Sequence, residues 1–193
     1  MLRRFLLRAF CCAVLMLPAA CSTIGGGGPQ ALEAASPLDA DPHALVVALT
    51  KPAALPVGDG DLALSLSWAV PGRDEQEERA GLQVARRLDA APGRDTVELV
   101  LAPDDAERMA ALLSEIRADK QKGIDGKGAF SVSFTARCMD GGVDLADMVV
   151  DVALTLRPGE PAIPLLDNAK FGALLAARGI ERLPDCRRGA GAR

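Results

Sequence analysis

Phe130-Ser131-Val132-Ser133-Phe134-Thr135-Ala136-Arg137-Cys138 and Met148-Val149-Val150-Asp151-Val152-Ala153-Leu154-Thr155-Leu156-Arg157 decide the fold. In the first stretch Phe130, Val132, Phe134, Ala136 and Cys138 alternate with Ser131, Ser133, Thr135 and Arg137. In the second, Met148, Val150, Val152, Leu154 and Leu156 alternate with Val149, Asp151, Ala153, Thr155 and Arg157. A period of two puts each set on its own face of a strand. One apolar face and one solvated face belong to antiparallel sheets, because strands of a parallel α/β sheet are buried on both faces. Joined by residues 139–147, the two stretches are expected to pair antiparallel with each other.

The same period recurs upstream. Leu45, Val47 and Leu49 alternate with Val46, Ala48 and Thr50 until Pro52 and Pro56 stop the strand. Gly58-Asp59-Gly60-Asp61 turns the chain, and Leu62, Leu64, Leu66, Trp68 and Val70 line the next strand's apolar face. Val97, Leu99 and Leu101 mark another strand. Residues 73–89 fit a helix or a strand; Leu82, Val84 and Leu88 favour a strand over Gly81–Asp89.

Pro103 opens a helix, where its missing N–H costs nothing. Asp104, Asp105 and Glu107 suit the positive end of the helix dipole. Met109, Leu112, Leu113 and Ile116 form one apolar stripe, and Gly123 supplies the left-handed stop. A short last helix is expected with Asp167 as its cap, Leu166 stapled on Phe171, and Gly179 as its end. The fold expected is mainly β (α+β): an antiparallel β-sandwich-like domain of five or six strands. One long helix lies between the fourth and fifth strands, and a short C-terminal helix follows. One sheet with both helices on the same face is the alternative.

The first residues specify compartment rather than fold. Arg3, Arg4 and Arg8 precede an apolar run from Ala9 to Leu17, then Pro18, Ala19, Ala20 and Cys21. Positive end, short apolar middle and small residues before a cut make an export signal over residues 1–20. The run is shorter than the roughly 20 apolar residues a spanning helix needs. Ala19-Ala20-Cys21 after this leucine-rich run resembles the lipobox of bacterial lipoproteins, with Pro18 where the class carries Leu, Val or Ile. The resemblance implies lipidation of Cys21 and a membrane attachment through that lipid. Ser22, rather than aspartate, follows the cysteine, which resembles the outer-membrane class facing the periplasm. Sec and twin-arginine export both fit the Arg3-Arg4 pair.

Residues 21–42 contain Gly25-Gly26-Gly27-Gly28-Pro29 and read as a flexible tether. One globular domain is expected over residues 43–186, with a frayed tail at 187–193. The signal takes three of the 22 basic residues and none of the 26 acidic ones, so 19 bases remain against 26 acids. That balance disfavours phosphate neutralisation, and aromatic content of 3% offers few stacking platforms, so nucleic acid is not an expected partner.

Of five cysteines, Cys11 and Cys12 lie in the signal, and Cys21 is the one the lipobox resemblance implies is lipidated. Cys138 and Cys186 remain as an even pair in an oxidising compartment, and a disulfide between them is expected.

His43 is the sole histidine, so a multi-histidine zinc site is excluded and a His-based triad would have to use His43 itself. No GxSxG, SxxK, P-loop or GxGxxG occurs. Asp140, Asp144 and Asp147 share one loop with Gly141-Gly142 and are a calcium candidate, although their spacing is not that of an EF-hand. No catalytic residue or cofactor is assigned. The expectation is a non-catalytic envelope lipoprotein acting as a structural or protein-interaction module, with an envelope protein as partner. A soluble periplasmic binder of a small ligand held between the sheets is the alternative. A carboxylate-dependent periplasmic hydrolase is the third reading.

Overall fold

Among the described residues, eight strands pair without a single parallel contact among them, in two sheets that share one buried apolar cluster. This computed structural model describes residues 37–135, 138–139 and 144–186. The signal, Cys21, the tether as far as residue 36, Asp140 and the tail at 187–193 lie outside the described residues.

The larger sheet has the order β4-β5-β1-β7-β8, from Gln83–Ala91, Arg94–Val100, Val46–Pro52, Val149–Thr155 and Ile163–Lys170. The smaller has the order β3-β2-β6, from Gln76–Gly81, Leu62–Ala69 and Lys127–Phe134. Alternation does the work in each. Val47 and Leu49 of β1, Leu62, Leu64, Leu66 and Trp68 of β2, Val97 and Leu99 of β5, and Val150, Val152 and Leu154 of β7 are all buried. Two such faces hide their apolar sides only by covering each other, which is the sandwich.

Alternation specifies a strand's faces but not its neighbour. The stretches expected to pair with each other lie in different sheets: β6 pairs with β2, and β7 runs between β1 and β8. The connection after β6 therefore crosses from one layer to the other.

The stretch favoured as one strand, Gly81–Asp89, is strand on either side of Leu82 but is shared between two strands. β3 and β4 are nearly continuous and change sheets at Leu82, which is fully buried. Its N–H donates to Leu62 O at 2.8 Å, and its carbonyl accepts from Gly60 N–H at 2.8 Å. A strand that bends between layers in this way makes the corner of a sandwich. A bulge between Val84 and Arg86 then reverses which side chains face in. Leu88, expected inward, is 40% exposed as a result. The extra strand also moves the long helix to a place between the fifth and sixth strands.

That helix, α1, spans Pro103–Gln121. Ala106, Met109, Leu112, Leu113 and Ile116 are buried in the common cluster. Gly123 takes φ 73°, and Ile124 N–H bonds Asp119 O at 3.0 Å, so the glycine stop operates as expected.

The short last helix, α2, spans Phe171–Ala176 and is preceded by strand rather than by an aspartate cap. Leu166 and Ala169 pair with Val152 and Val150 of β7, so Asp167 and Leu166 belong to β8. Two bulges and Asn168, at φ 50°, let this strand follow its neighbour. The chain enters α2 with Phe171 N–H bonded to Met148 O at 2.9 Å. Phe171 packs on Phe134 with ring centroids 5.6 Å apart. Gly179, at φ 74°, and an Ile180 N–H bond to Leu175 O end the turn as expected.

Candidate functional site

Helix α1 lies against the edge strand β3, and the seam between them is a polar cleft. Glu78 and Gln76 stand opposite Leu66 and Trp68 in the register, so they share the inward side of β3 at its open margin. Arg108, Glu115 and Asp119 recur at helical spacing and present one polar strip of α1 to them. Gln76 Nε2 donates to Glu115 Oε2 at 2.6 Å. Arg108 Nε donates to Glu78 Oε2 at 3.4 Å, and the same guanidinium also bonds Asp105. Asp105, and then Glu78, raise the Arg108 pKa above its ordinary value.

The seam holds two adjoining hollows that share Gln76 and Glu115. One, of about 350 Å³, is bounded by Glu78, Arg108 and Ala111. The other, of about 370 Å³, is bounded by Trp68, Arg73, Asp119 and Lys122. At its floor Trp68 is 2% exposed, so it is a core residue rather than a free contact anchor. Its Nε1–H donates to Asp119 Oδ2 at 3.2 Å, and Arg73 Nη1 donates to the same oxygen at 3.0 Å. Lys120 Nζ lies 5.2 Å from the centre of the indole ring, within cation–π range.

The chemistry this arrangement permits is limited. Glu78, Glu115 and Asp119 each accept from a neighbouring Arg, Gln or Trp. A general acid or base needs a proton it is free to give or take toward a substrate. Each of these three acids already accepts a bond from a neighbour. Both hollows lie along the α1–β3 seam and mix polar with apolar lining: Ala111 and Leu112 in the first, Trp68, Val70 and Ala118 in the second.

The residues singled out from sequence fall elsewhere. Cys138 and Cys186 are joined, with Sγ–Sγ 2.14 Å and Cα–Cα 5.0 Å. Met139 N–H bonds Pro184 O at 2.9 Å, and Cys186 N–H bonds Met139 O at 3.1 Å, so main chain and disulfide fasten the C-terminal segment together. Asp144 caps the short turn Leu145–Asp147 by accepting from Ala146 N–H at 2.9 Å. Among the described residues, no three His, Cys, Asp or Glu side chains come together as a metal-binding group. His43 is exposed, and its N–H donates to Asp41 Oδ1 at 3.1 Å. Asp59 and Asp61 brace their turn through Val84 N–H and Gly58 N–H, each at 2.8 Å.

Sequence reasoning missed Gln76, Arg108, Glu115 and Asp119. The available signal was the polar strip of α1, which reads equally well as an ordinary solvated helix face. Among the described residues no helix is long and apolar enough to cross a membrane. No family model, curated protein or solved structure matches this chain, so the cleft is understood from its own chemistry alone.

Proposed function

We propose that this chain is a non-catalytic cell-envelope lipoprotein, held to the outer membrane by lipid on Cys21, whose domain docks an envelope protein through the β3–α1 cleft. The observation that carries this reading is the internal pairing of the cleft's charges. Side chains already ordered by their own partners lose little entropy when a second surface arrives. They also present a patterned potential that selects a complementary partner. The alternation of Arg73, Arg108 and Lys122 with Glu78, Glu115 and Asp119 suits a partner that is itself polar and of mixed charge. The arginine-rich start, the Ala-Ala-Cys motif and the disulfide support the compartment.

A carboxylate-dependent hydrolase is the second reading, because acids do gather in this cleft. It requires two of them released from their present partners, and Glu115 and Asp119 are held as described.

Two measurements test the proposal. Intact mass of the protein purified from its native membrane is expected to equal residues 21–193 plus lipid, with no thiol labelled before reduction. The unmodified mass of residues 21–193 would overturn the anchor. A photocrosslinking residue at Ala111 or Ala118 is expected to yield one discrete adduct in the envelope, and the same residue at Ser65 none. Adducts no stronger at Ala111 and Ala118 than at Ser65 would overturn the docking surface.

A further inference from the structure

Sheet edges carry unpaired N–H and C=O groups, and proteins ordinarily guard them. Three of the four edges here are guarded. β3 lies under α1, whose polar strip bonds it. β4 carries Arg86, Arg87 and Asp89 and two register breaks. β8 carries Pro164, Asp167, Lys170 and two breaks of its own. β6 carries only one of these devices, Lys127 at its first position. Its eight residues keep an unbroken register with β2, and from Gly128 to Phe134 they include neither charge nor proline.

The direction of its free groups follows from one bond. Thr135 N–H donates to Asp61 O at 2.8 Å directly across the β2–β6 ladder. Hydrogen-bonding direction alternates along a strand. Ser133, Ser131 and Ala129 therefore point their main-chain groups at β2, while Phe134, Val132, Phe130 and Gly128 point theirs outward. Arg178 Nη1 occupies Phe134 O at 3.2 Å. Among the described residues, nothing bonds the outward groups of Gly128, Phe130 and Val132. Residues 127, 128, 129 and 131 are exposed, and Phe130 and Val132 are only half-buried on the inner face.

We propose that the β6 edge is a self-association site, which receives β6 of a second copy of this chain antiparallel about a two-fold axis at Phe130. The occupant follows from register and charge. With Phe134 O taken by Arg178, the outward groups left are those of Gly128, Phe130 and Val132. These are self-complementary in one register: Gly128 opposite the partner's Val132, and Phe130 opposite the partner's Phe130. Each such pair exchanges two main-chain hydrogen bonds. The glycine leaves room for the facing valine, and the two Phe130 rings cover each other's exposed flanks. On the outer face Ala129 meets the partner's Ser131, and Lys127 meets the partner's Ser133, so no like charges stand opposite. The two Lys127 side chains fall roughly 20 Å apart at about 3.4 Å per residue, beyond the screening length. Along β6 a charged peptide would meet only Lys127, at the strand's start, whereas a second copy brings the same seven uncharged residues, Gly128–Phe134. The dimer is a continuous six-stranded sheet, β3-β2-β6-β6-β2-β3, that leaves both β3–α1 clefts free.

Sedimentation equilibrium of the purified full-length protein, in detergent where its lipid is present, tests the proposal. A monomer–dimer equilibrium is expected, with its midpoint between roughly 10 and 300 μM as suits a small interface. Val132→Pro removes an outward N–H that β2 does not use, the position at which strands tolerate proline. It is expected to raise the midpoint at least tenfold. Ser131→Lys, which sets like charges diagonally across the joint, is expected to do the same with an unchanged circular dichroism spectrum. Ala129→Cys mixed with Ser131→Cys is expected to form an intermolecular disulfide, because residues facing as a non-hydrogen-bonded pair lie about 4.5 Å apart. Ala129→Cys alone is expected to form far less. A protein that stays monomeric at 300 μM overturns the proposal, as does a dimer indifferent to both edge variants or lacking the mixed crosslink. None of these outcomes bears on crosslinking at Ala111, so the cleft and the edge stand or fall separately.

Discussion

Lys51 Nζ donates to Asp95 Oδ1 at 2.6 Å on the core side of the larger sheet, where the lysine is only 1% exposed. The two residues are direct neighbours across β1 and β5, on the same side as Val47, Leu49, Val97 and Leu99. The ammonium also approaches Pro52 O at 3.4 Å. A buried pair of this kind contributes little net stability, yet removal of one partner leaves the other charge stranded. Asp95→Ala is therefore expected to cost about 2–4 kcal/mol, at or below the usual range because the aspartate is 25% exposed. Lys51→Met in the Asp95→Ala background is expected to restore most of that loss. Urea unfolding of the two single variants and the double variant measures the cycle; additive losses would mean that the pair is not coupled.

The disulfide closes a loop of 48 residues between Cys138 and Cys186. On the chain-entropy account that is worth about 4 kcal/mol. Replacement of both cysteines by serine is expected to lower stability by about that amount in urea. Hydrogen exchange should rise most at Met139 and Cys186, whose amides bond within the fastened segment. Exchange at Phe171 should change little, because its bond to Met148 O and its packing on Phe134 do not pass through the bridge.

What could be seen in the sequence tracks what is local. The period of two in β1, β2 and β7 reports a buried face, and a buried face needs no knowledge of the neighbour. The start and stop of α1, from Pro103 to Gly123, are equally local, since cap and dipole act within a turn. The partner of β6 was not legible, because any strand with one apolar face satisfies either sheet. The corner at Leu82 and the bulge after Val84 were hidden for a related reason: a bulge changes parity without changing composition. Asp167 looked like a cap because aspartate favours helix starts; the pairing of Leu166 and Ala169 with β7, joined by the bond from Asn168 N–H to Asp151 Oδ1 at 2.6 Å, decides for β8. The cleft depends on β3 and α1 meeting, so nothing in either segment alone announces it.

The corner at Leu82 gives a sharp prediction. Its side chain is wholly buried, and its amide and carbonyl bond Leu62 and Gly60. Leu82→Ala removes buried volume at the point where the two layers join and is expected to cost about 2–5 kcal/mol. Leu88→Ala, farther along in β4 and 40% exposed, is expected to cost under about 0.5 kcal/mol. Comparable losses at both sites in thermal unfolding would mean that the inward face continues past the bulge.

The fit of Trp68 against the loop after α1 can be tested with one methyl group. A Cβ on Gly126 would lie 2.5 Å from Trp68 Cζ2 and 2.7 Å from Cη2, closer than carbon atoms approach. The ring has little freedom to retreat, since it is buried and its Nε1–H is held by Asp119. Gly126→Ala is expected to cost about 1–3 kcal/mol, the usual penalty for overpacking. Gly128 is the control on the next stretch of chain, where a Cβ would meet its nearest atom at 3.7 Å. Gly128→Ala is expected to change stability by less than about 0.5 kcal/mol. Tryptophan fluorescence distinguishes the two further. A displaced indole loses its bond to Asp119 and gains water, so the emission of Gly126→Ala should shift to longer wavelength while that of Gly128→Ala stays. An unshifted, fully stable Gly126→Ala would mean that the indole does not rest on this glycine, and that the floor of the cleft is looser than the bond to Asp119 implies.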